Sequence, residues 1–367
     1  MKTIATARAR PRTIGALASI AFLVLAASVI SSQRSDPHHG RKDAAGINGE
    51  STDRRHAGGI ELAAAPATPT TSVADDTLTV TGSDASERIA LRLAPGLPTT
   101  LQVDFGDDGS ADQQFDRGTF SRVVVRAGGG SDRIRVDDTT GAFTDELVTL
   151  DGGGGDDVID GGLGADGLLG GTGNDIVDGG DRNDAVDLGA GRDTFIWNPG
   201  DDNDTIQGQA GSDTLDFRGS NVAESLRLSP VGAHARLTRN VTSVLLDLDT
   251  VEQVHLRTLG GADTIVIDEM SATAVGGVTL DLSDQAGGGD AQVDTVTASV
   301  IVDGAQAGVA AVEGRLELQG VRTAIAIAGA ESRDLFEVTA RGGSEADVAD
   351  IMGVELTLTR SGFRTGG

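Results

Sequence analysis

Cysteine and tyrosine are absent from this 367-residue chain, tryptophan occurs once, phenylalanine nine times and proline eight times. Without cysteine there can be no disulfide framework, zinc ribbon, thiol nucleophile or redox motif. So few large aromatics argue against an ordinary globular core at this length. Basic residues are scarce too: 29 Lys and Arg face 56 Asp and Glu, a formal charge of −27, and no lysine follows Lys42. That sign excludes nucleic acid as a partner, because phosphate binding needs a basic surface that releases counterions. Neither HExxH nor GxSxG occurs, so the zinc-peptidase and serine-hydrolase signatures are missing. What abounds is glycine, 53 residues, about twice the usual share. With so little proline, the composition fits neither collagen nor a Pro-rich disordered chain and leaves a repeated, glycine-dependent, carboxylate-rich backbone.

The charge is unevenly placed. Residues 1–60 carry nine basic and four acidic side chains, so the remainder holds 20 against 52, a net of −32. Lys2, Arg8, Arg10 and Arg12 precede an apolar run from Thr13 to Ile30 that ends among small residues. This order predicts an export signal over 1–32, either cleaved or kept as a signal-anchor, with the acidic body outside the cytoplasmic membrane. Residues 33–76 lack apolar periodicity and predict a flexible linker. The histidines within it, His38, His39 and His56, are too sparse for a metal-binding tract. Nothing after Ile30 offers an uninterrupted apolar span, so the body is not expected to insert into a membrane.

A nine-residue frame starts at Gly152 and runs for five units: GGGGDDVID, GGLGADGLL, GGTGNDIVD, GGDRNDAVD and LGAGRDTFI. Trp197 and Asn198 shift it, and PGDDNDTIQ (199–207) and GQAGSDTLD (208–216) resume it. The sixth position is always aspartate: Asp157, Asp166, Asp175, Asp184, Asp193, Asp204 and Asp213. The eighth is always apolar: Ile159, Leu168, Val177, Val186, Phe195, Ile206 and Leu215. A strand of about three residues can bury one such side chain, and the glycines before it allow the chain to turn. Stacked units would align the carboxylates about 4.7–4.9 Å apart, a row that repels itself unless cations intervene. Oxygen donors without His or Cys select a hard ion, and flexible ligands suit Ca²⁺ better than Mg²⁺. Residues 151–218 hold 16 Asp against three Arg, concentrating the negative charge where the ions are expected.

These units resemble the GGxGxDxUx nonapeptides of hemolysin-type calcium-binding (RTX) repeats. The resemblance implies an all-β protein with a parallel β-roll over 151–218, two nonapeptides per coil, at the centre of a longer β-solenoid or β-helix-like body. It further implies that turns n and n+2 sandwich calcium through the sixth-position aspartates and turn carbonyls. Asp157 is then expected to pair with Asp175, Asp166 with Asp184, and Asp175 with Asp193. The turn glycines carried over with them are Gly153, Gly155, Gly162, Gly164, Gly171, Gly173, Gly180 and Gly191. Two departures stand out: Arg182 replaces a fourth-position glycine, and Pro199 with the two-residue insertion is expected to end regular stacking.

Degenerate copies flank the roll. AGGGSDRIR (127–135) contributes Asp132 and TLGGADTIV (258–266) contributes Asp263 as further expected ligands. Both lie in longer similar stretches, 120–136 and 251–267, 131 residues apart, and GSDASERIALRL (82–93) echoes GSNVAESLRLSP (219–230). The pattern suggests a duplication, with degenerate β-repeats over 77–150 and 219–367. The flanks also resemble secreted actinobacterial-type calcium-binding proteins of this repeat class. The loop 103–112, with Asp104, Asp108 and Asp112, lacks the twelfth-position Glu of an EF-hand and fits an acidic turn better. The leading reading is an exported calcium-binding protein with a structural or interaction role, its cell-surface or extracellular-matrix partner undefined, and no catalytic residue is assigned. The alternative is a polysaccharide-acting or other secreted enzyme carrying the repeat as a module, since the Asp pairs 107/108, 137/138 and 201/202 are of the type that hydrolyses glycosides. Trp197 fits a core contact better than a ligand platform.

Overall fold

A computed structural model describes residues 68–287, 291–301, 306–312, 315–319, 322–328, 335–341, 345–346 and 355–360. Short strands alternate between two mainly parallel sheets, so that two successive strands and the turns joining them make one coil. In the first sheet Thr77–Thr81, Arg122–Gly129, Leu147–Gly154, Gly167–Gly173, Ala185–Gly191 and Thr205–Gln207 follow one another. In the second, Arg88–Ala94, Arg133–Asp137, Val158–Asp160, Ile176–Asp178, Thr194–Trp197 and Thr214–Arg218 do the same. The protein is all-β, with the roll at the centre of a solenoid-like body.

The core follows from the eighth position. Leu150, Leu168, Val186 and Ile206 pair in register along the first sheet, and Ile159, Val177, Phe195 and Leu215 along the second. All eight are buried, so the sheets face each other across one continuous apolar stack. One inward residue per short strand suffices because the ladder of neighbouring coils supplies the rest of each contact surface. The coils approach so closely that a Cβ at Gly171, where φ is +109°, would lie 2.1 Å from the carbonyl oxygen of Gly153. Only glycine meets both demands there.

Two expectations are corrected. Among the described residues strand structure is already present before the expected boundary at Thr77, because Thr70–Ala74 pairs antiparallel with Thr77–Thr81. Regular stacking does not end at Pro199: Val186 still pairs with Ile206 and Phe195 with Leu215. The extra residues are absorbed locally. Trp197 lengthens its strand to pair with Phe217, and the Asn198 N–H donates to the Asp201 carboxylate (2.6 Å), closing a small bulge outside the ladder.

What interrupts the parallel order is a three-stranded antiparallel meander, which recurs. Arg88–Ala94, Leu97–Phe105 and Gln113–Asp116 form one in the second sheet; Ser225–Val231, His234–Arg239 and Val244–Asp249 form one in the first; Gln306–Val312, Arg315–Gln319 and Ala324–Ala328 form one in the second. The similar stretches 120–136 and 251–267 therefore place corresponding strands on opposite sheets, Arg122–Gly129 in the first and Gln253–Arg257 in the second. The expected signal over 1–32 and most of the expected linker over 33–76 lie outside the described residues.

Candidate metal centre

The sixth-position aspartates lie in the turns and are nearly fully buried there. In turns leading from the first sheet to the second, each backbone N–H donates to the carboxylate one coil further on: Asp132 to Asp157 (2.7 Å), Asp157 to Asp175 (2.8 Å), Asp175 to Asp193 (2.8 Å) and Asp193 to Asp213 (3.0 Å). Glutamates end this row, with Glu87 donating to Asp132 (2.7 Å) and Asp213 to Glu252 (2.8 Å). In the return turns Asp166 donates to Asp184 (2.7 Å) and Asp184 to Asp204 (2.9 Å). Beyond the central meander a further short row runs from Glu224 to Asp263 (2.8 Å) and from Asp263 to Asp294 (2.8 Å).

Apart from Asp166, the sixth-position aspartates of the repeat spend one oxygen on the ladder and keep the other for something else. Oδ2 of Asp132, Asp157, Asp166, Asp175, Asp184, Asp193, Asp204, Asp213 and Asp263 is buried without a hydrogen-bond partner. Asp166 has neither oxygen bonded, because the coil before it at that edge is the Asp138–Thr140 turn rather than a nonapeptide. A buried carboxylate oxygen without a donor costs free energy unless a proton or a cation meets it. Burial is the largest cause of the resulting shifts. It pushes Asp132, Asp175 and Asp213 up to about 6, Asp157, Asp166 and Asp263 to about 7, Asp204 to about 8 and Asp184 to about 9. Asp193 also moves up, again mainly through burial.

These directions set a pH dependence for the metal-free chain. A carboxyl whose folded pKa lies above its ordinary value near 3.8 favours the fold while protonated, and that support is lost as pH rises through the folded value. Without calcium, thermal unfolding is expected to occur at a higher temperature near pH 5 than near pH 8, reading across the window from about 4 to about 9. With saturating calcium the order is expected to reverse, since protons then compete with the metal. A melting temperature in metal-free buffer as high near pH 8 as near pH 5 would contradict the buried, unpartnered carboxylates.

The turn glycines complete the arrangement. Gly153 stacks with Gly171, Gly155 with Gly173, Gly173 with Gly191, and Gly162 with Gly180, while Gly164 lies against the Asp166 carboxylate. At Gly170, the first position of its unit, a Cβ would lie 2.3 Å from the Leu188 carbonyl oxygen and 2.7 Å from Asp175 Oδ2, so only glycine lets the next coil's carbonyl and the carboxylate pack this close to the backbone. Among the described residues no three acidic or histidine side chains converge on one point, so any multi-oxygen shell must draw on backbone carbonyls as well as the stacked carboxylates. The donor set, oxygen alone and partly unsatisfied, fits calcium. Arg182 does not break the stack: it adopts φ +75°, and Asp166 and Asp184 remain hydrogen-bonded beside it.

A second ladder escaped the sequence reading. Fifth-position side chains accept from the backbone one coil later, in the opposite sense to the sixth: Ser131 from Asp156 (3.2 Å), Asp156 from Asn174 (2.7 Å) and Asn174 from Arg192 (3.0 Å). The signal was present as recurrent Ser, Asp and Asn before the invariant aspartate. Glu87, Glu224, Glu252 and Asp294 were missed as well. For Glu87 and Glu224 the clue was the spacing from Gly82 and Gly219, which matches the step from a unit's first glycine to its aspartate. The other acidic motifs are occupied by arginines of neighbouring strands or by donors of their own turns. Asp104 pairs with Arg92 (2.7 Å) and accepts from Gly109 (2.9 Å), and Asp107 takes both Nε and Nη2 of Arg135 (2.9 and 2.7 Å). Asp137 accepts from the Thr139 hydroxyl (2.6 Å) and N–H (3.1 Å), and Asp108 from Ser110 (2.8 Å).

Comparison with protein families matches residues 148–168, 168–195 and 200–221 to the RTX calcium-binding nonapeptide repeat (4 copies). The one interruption, 196–199, spans the two-residue insertion. No curated protein matches the chain. Residues 148–221 are thus RTX repeats, which bind calcium. Among the described residues no helix is long and apolar enough to cross a membrane.

Proposed function

We propose that this chain, carrying RTX repeats over residues 148–221, is an exported calcium-binding protein whose roll folds when it meets extracellular calcium and then serves a structural or interaction role. The observation that carries this reading is the row of aspartates with one oxygen in the ladder and the other buried and unpartnered. The ligands proposed are Asp132, Asp157, Asp166, Asp175, Asp184, Asp193, Asp204, Asp213 and Asp263 with the turn carbonyls around Gly153, Gly155, Gly162, Gly164, Gly171, Gly173, Gly180 and Gly191. Residues 1–32 are proposed as the export signal and the residues from 33 up to the first strand as its tether. Calcium supplies the charge that lets these carboxylates stay ionised while buried, so binding energy becomes folding energy. Extracellular calcium modules of moderate affinity work at about 10⁻⁴–10⁻³ M, above cytoplasmic calcium, so the compartment itself would set the switch.

The test is ion counting on the full chain after equilibrium dialysis. Asp175→Asn, at the middle of its row between Asp157 and Asp193, is expected to lower the number of bound Ca²⁺ ions and to shift the folding midpoint to higher calcium. The same substitution at Asp108, which lies in the acidic hairpin, is expected to leave both unchanged. Equal binding by wild type and Asp175→Asn would refute the assignment.

A further inference from the structure

The first coil of the solenoid ends in an open strand edge. Thr70–Ala74 is the outermost strand of the first sheet, and among the described residues no strand pairs with its free side. Its inward side chains, Thr71 and Val73, lie opposite the fully buried Val80 and Leu78, yet Val73 is 41 % exposed, so the apolar stack stops here only partly covered. The edge is also pre-formed. Asp75 and Asp76, both at positive φ, make a two-residue hairpin turn, and the Asp76 carbonyl accepts from the N–H groups of Ser121 (3.1 Å) and Arg122 (3.2 Å). Natural sheets blunt such edges with charge, proline, a bulge or a covering segment. This strand, TTSVA, has no charge, proline or bulge, and three of its residues are β-branched. The outermost strand of the second sheet, Gln113–Asp116, is shorter and ends on a charge.

A second copy of the same strand fits that edge. We propose that two chains associate head to head about a two-fold axis, Thr70–Ala74 of one pairing antiparallel with Thr70–Ala74 of the other and joining their first sheets. With Ser72 at the axis, Thr70 of one copy faces Ala74 of the other and Thr71 faces Val73, so the whole strand pairs and inward side chains meet inward ones. A shift by one residue would set inward side chains against outward ones. The charges agree with this register. Beyond residue 60 the chain holds 20 basic against 52 acidic side chains, so two copies repel in general, and an uncharged edge is where they can meet. Asp75 and Asp76 pass beyond the paired segment, alongside Pro69 and Thr68 of the other copy, so no carboxylate opposes another. Residues 61–67, ELAAAPA, contain no β-branched or aromatic side chain and would make a poor strand for the edge. An isologous pair uses up the edge and closes as a dimer, where a head-to-tail contact would grow into a fibre.

The pairing goes beyond the calcium-binding reading, and its test reads mass rather than bound metal. In millimolar calcium, light scattering on the full chain at micromolar concentration is expected to give twice the 37.2 kDa of one chain. Ser72→Glu, at an exposed outward position, sets two like charges face to face and is expected to leave a folded monomer. The same change at Ser271, exposed and remote in the chain, is expected to leave the dimer intact. Because the chain has no cysteine, Ser72→Cys places one thiol on each side of the axis, and oxidation is expected to cross-link the copies, whereas Ser271→Cys is not expected to. Facing antiparallel residues lie about 4.5–5.5 Å apart at Cα, inside disulfide range. A monomeric wild type overturns the interface, and hydrogen-exchange protection of residues 70–74 in that monomer would assign the edge to the chain's own upstream residues. Higher oligomers, a dimer indifferent to Ser72→Glu, or equal cross-linking at both positions would overturn it as well.

Discussion

In metal-free buffer at neutral pH the chain is expected to lose the strand signal of residues 147–218, and millimolar calcium, but not magnesium, is expected to restore it. Five hydrogen-bonded steps link the seven repeat aspartates along the two edges of the roll. Carboxylates one sheet spacing apart, about 4.8 Å, repel by about 3–4 kcal/mol at an effective dielectric near 20. Repeated over the roll, that repulsion rivals the whole net stability of a domain, about 5–15 kcal/mol. The metal-free roll must therefore hold protons or come apart, and near neutral pH raised carboxyls around 6 to 7 are losing theirs. Magnesium is a poor substitute because it demands near-octahedral geometry and parts reluctantly with water. Far-UV circular dichroism against free calcium reads the transition, and Trp197, fully buried within the affected strands, reports it by fluorescence. An unchanged spectrum and melting temperature in the absence of calcium would overturn ion-driven folding.

Trp197→Ala is expected to cost about 3–5 kcal/mol in calcium-saturated protein, as large-to-small changes of buried aromatics do. The indole is 0 % exposed, stacks on Phe217 at 4.5 Å with planes 6° apart, and donates from Nε1 to the Asp202 carbonyl (3.1 Å). The guanidinium of Arg239 lies 5.2 Å above the ring, so the indole also forms one wall around the buried Arg239–Glu224 pair. Its removal leaves a cavity and strips that cation of an aromatic face. Trp197→Phe is expected to recover most of the loss, and chemical denaturation at fixed calcium measures both. A loss below about 1 kcal/mol for the alanine variant would be too small for a buried aromatic and would contradict this packing role.

Much of the roll was legible because its rules are local. Within one nonapeptide, Gly170 and Asp175 or Asp175 and Val177 stand at fixed offsets, and a fixed offset survives as a period. The insertion at Trp197 and Asn198 misled because an interrupted period looks like an ending. A turn can absorb residues without disturbing the strands, and Phe195 still meets Leu215. Glu87 and Glu224 stayed hidden for a related reason: their ladder partners lie 45 and 39 residues away, across meanders that break any repeat.

The all-β class, the nonapeptide period, the inward eighth position, the carboxylate at the sixth and the hard-ion chemistry are written in the residues themselves, since each depends on residue type at short range. Long-range packing alone settles which coils touch, that the similar flanking stretches lie on opposite sheets, that the ladder runs on past the repeat to Glu87 and Glu252, and that Arg239 stands beside Glu224. Those features depend on which backbone lies one sheet spacing away, and insertions of any length can separate such neighbours along the chain.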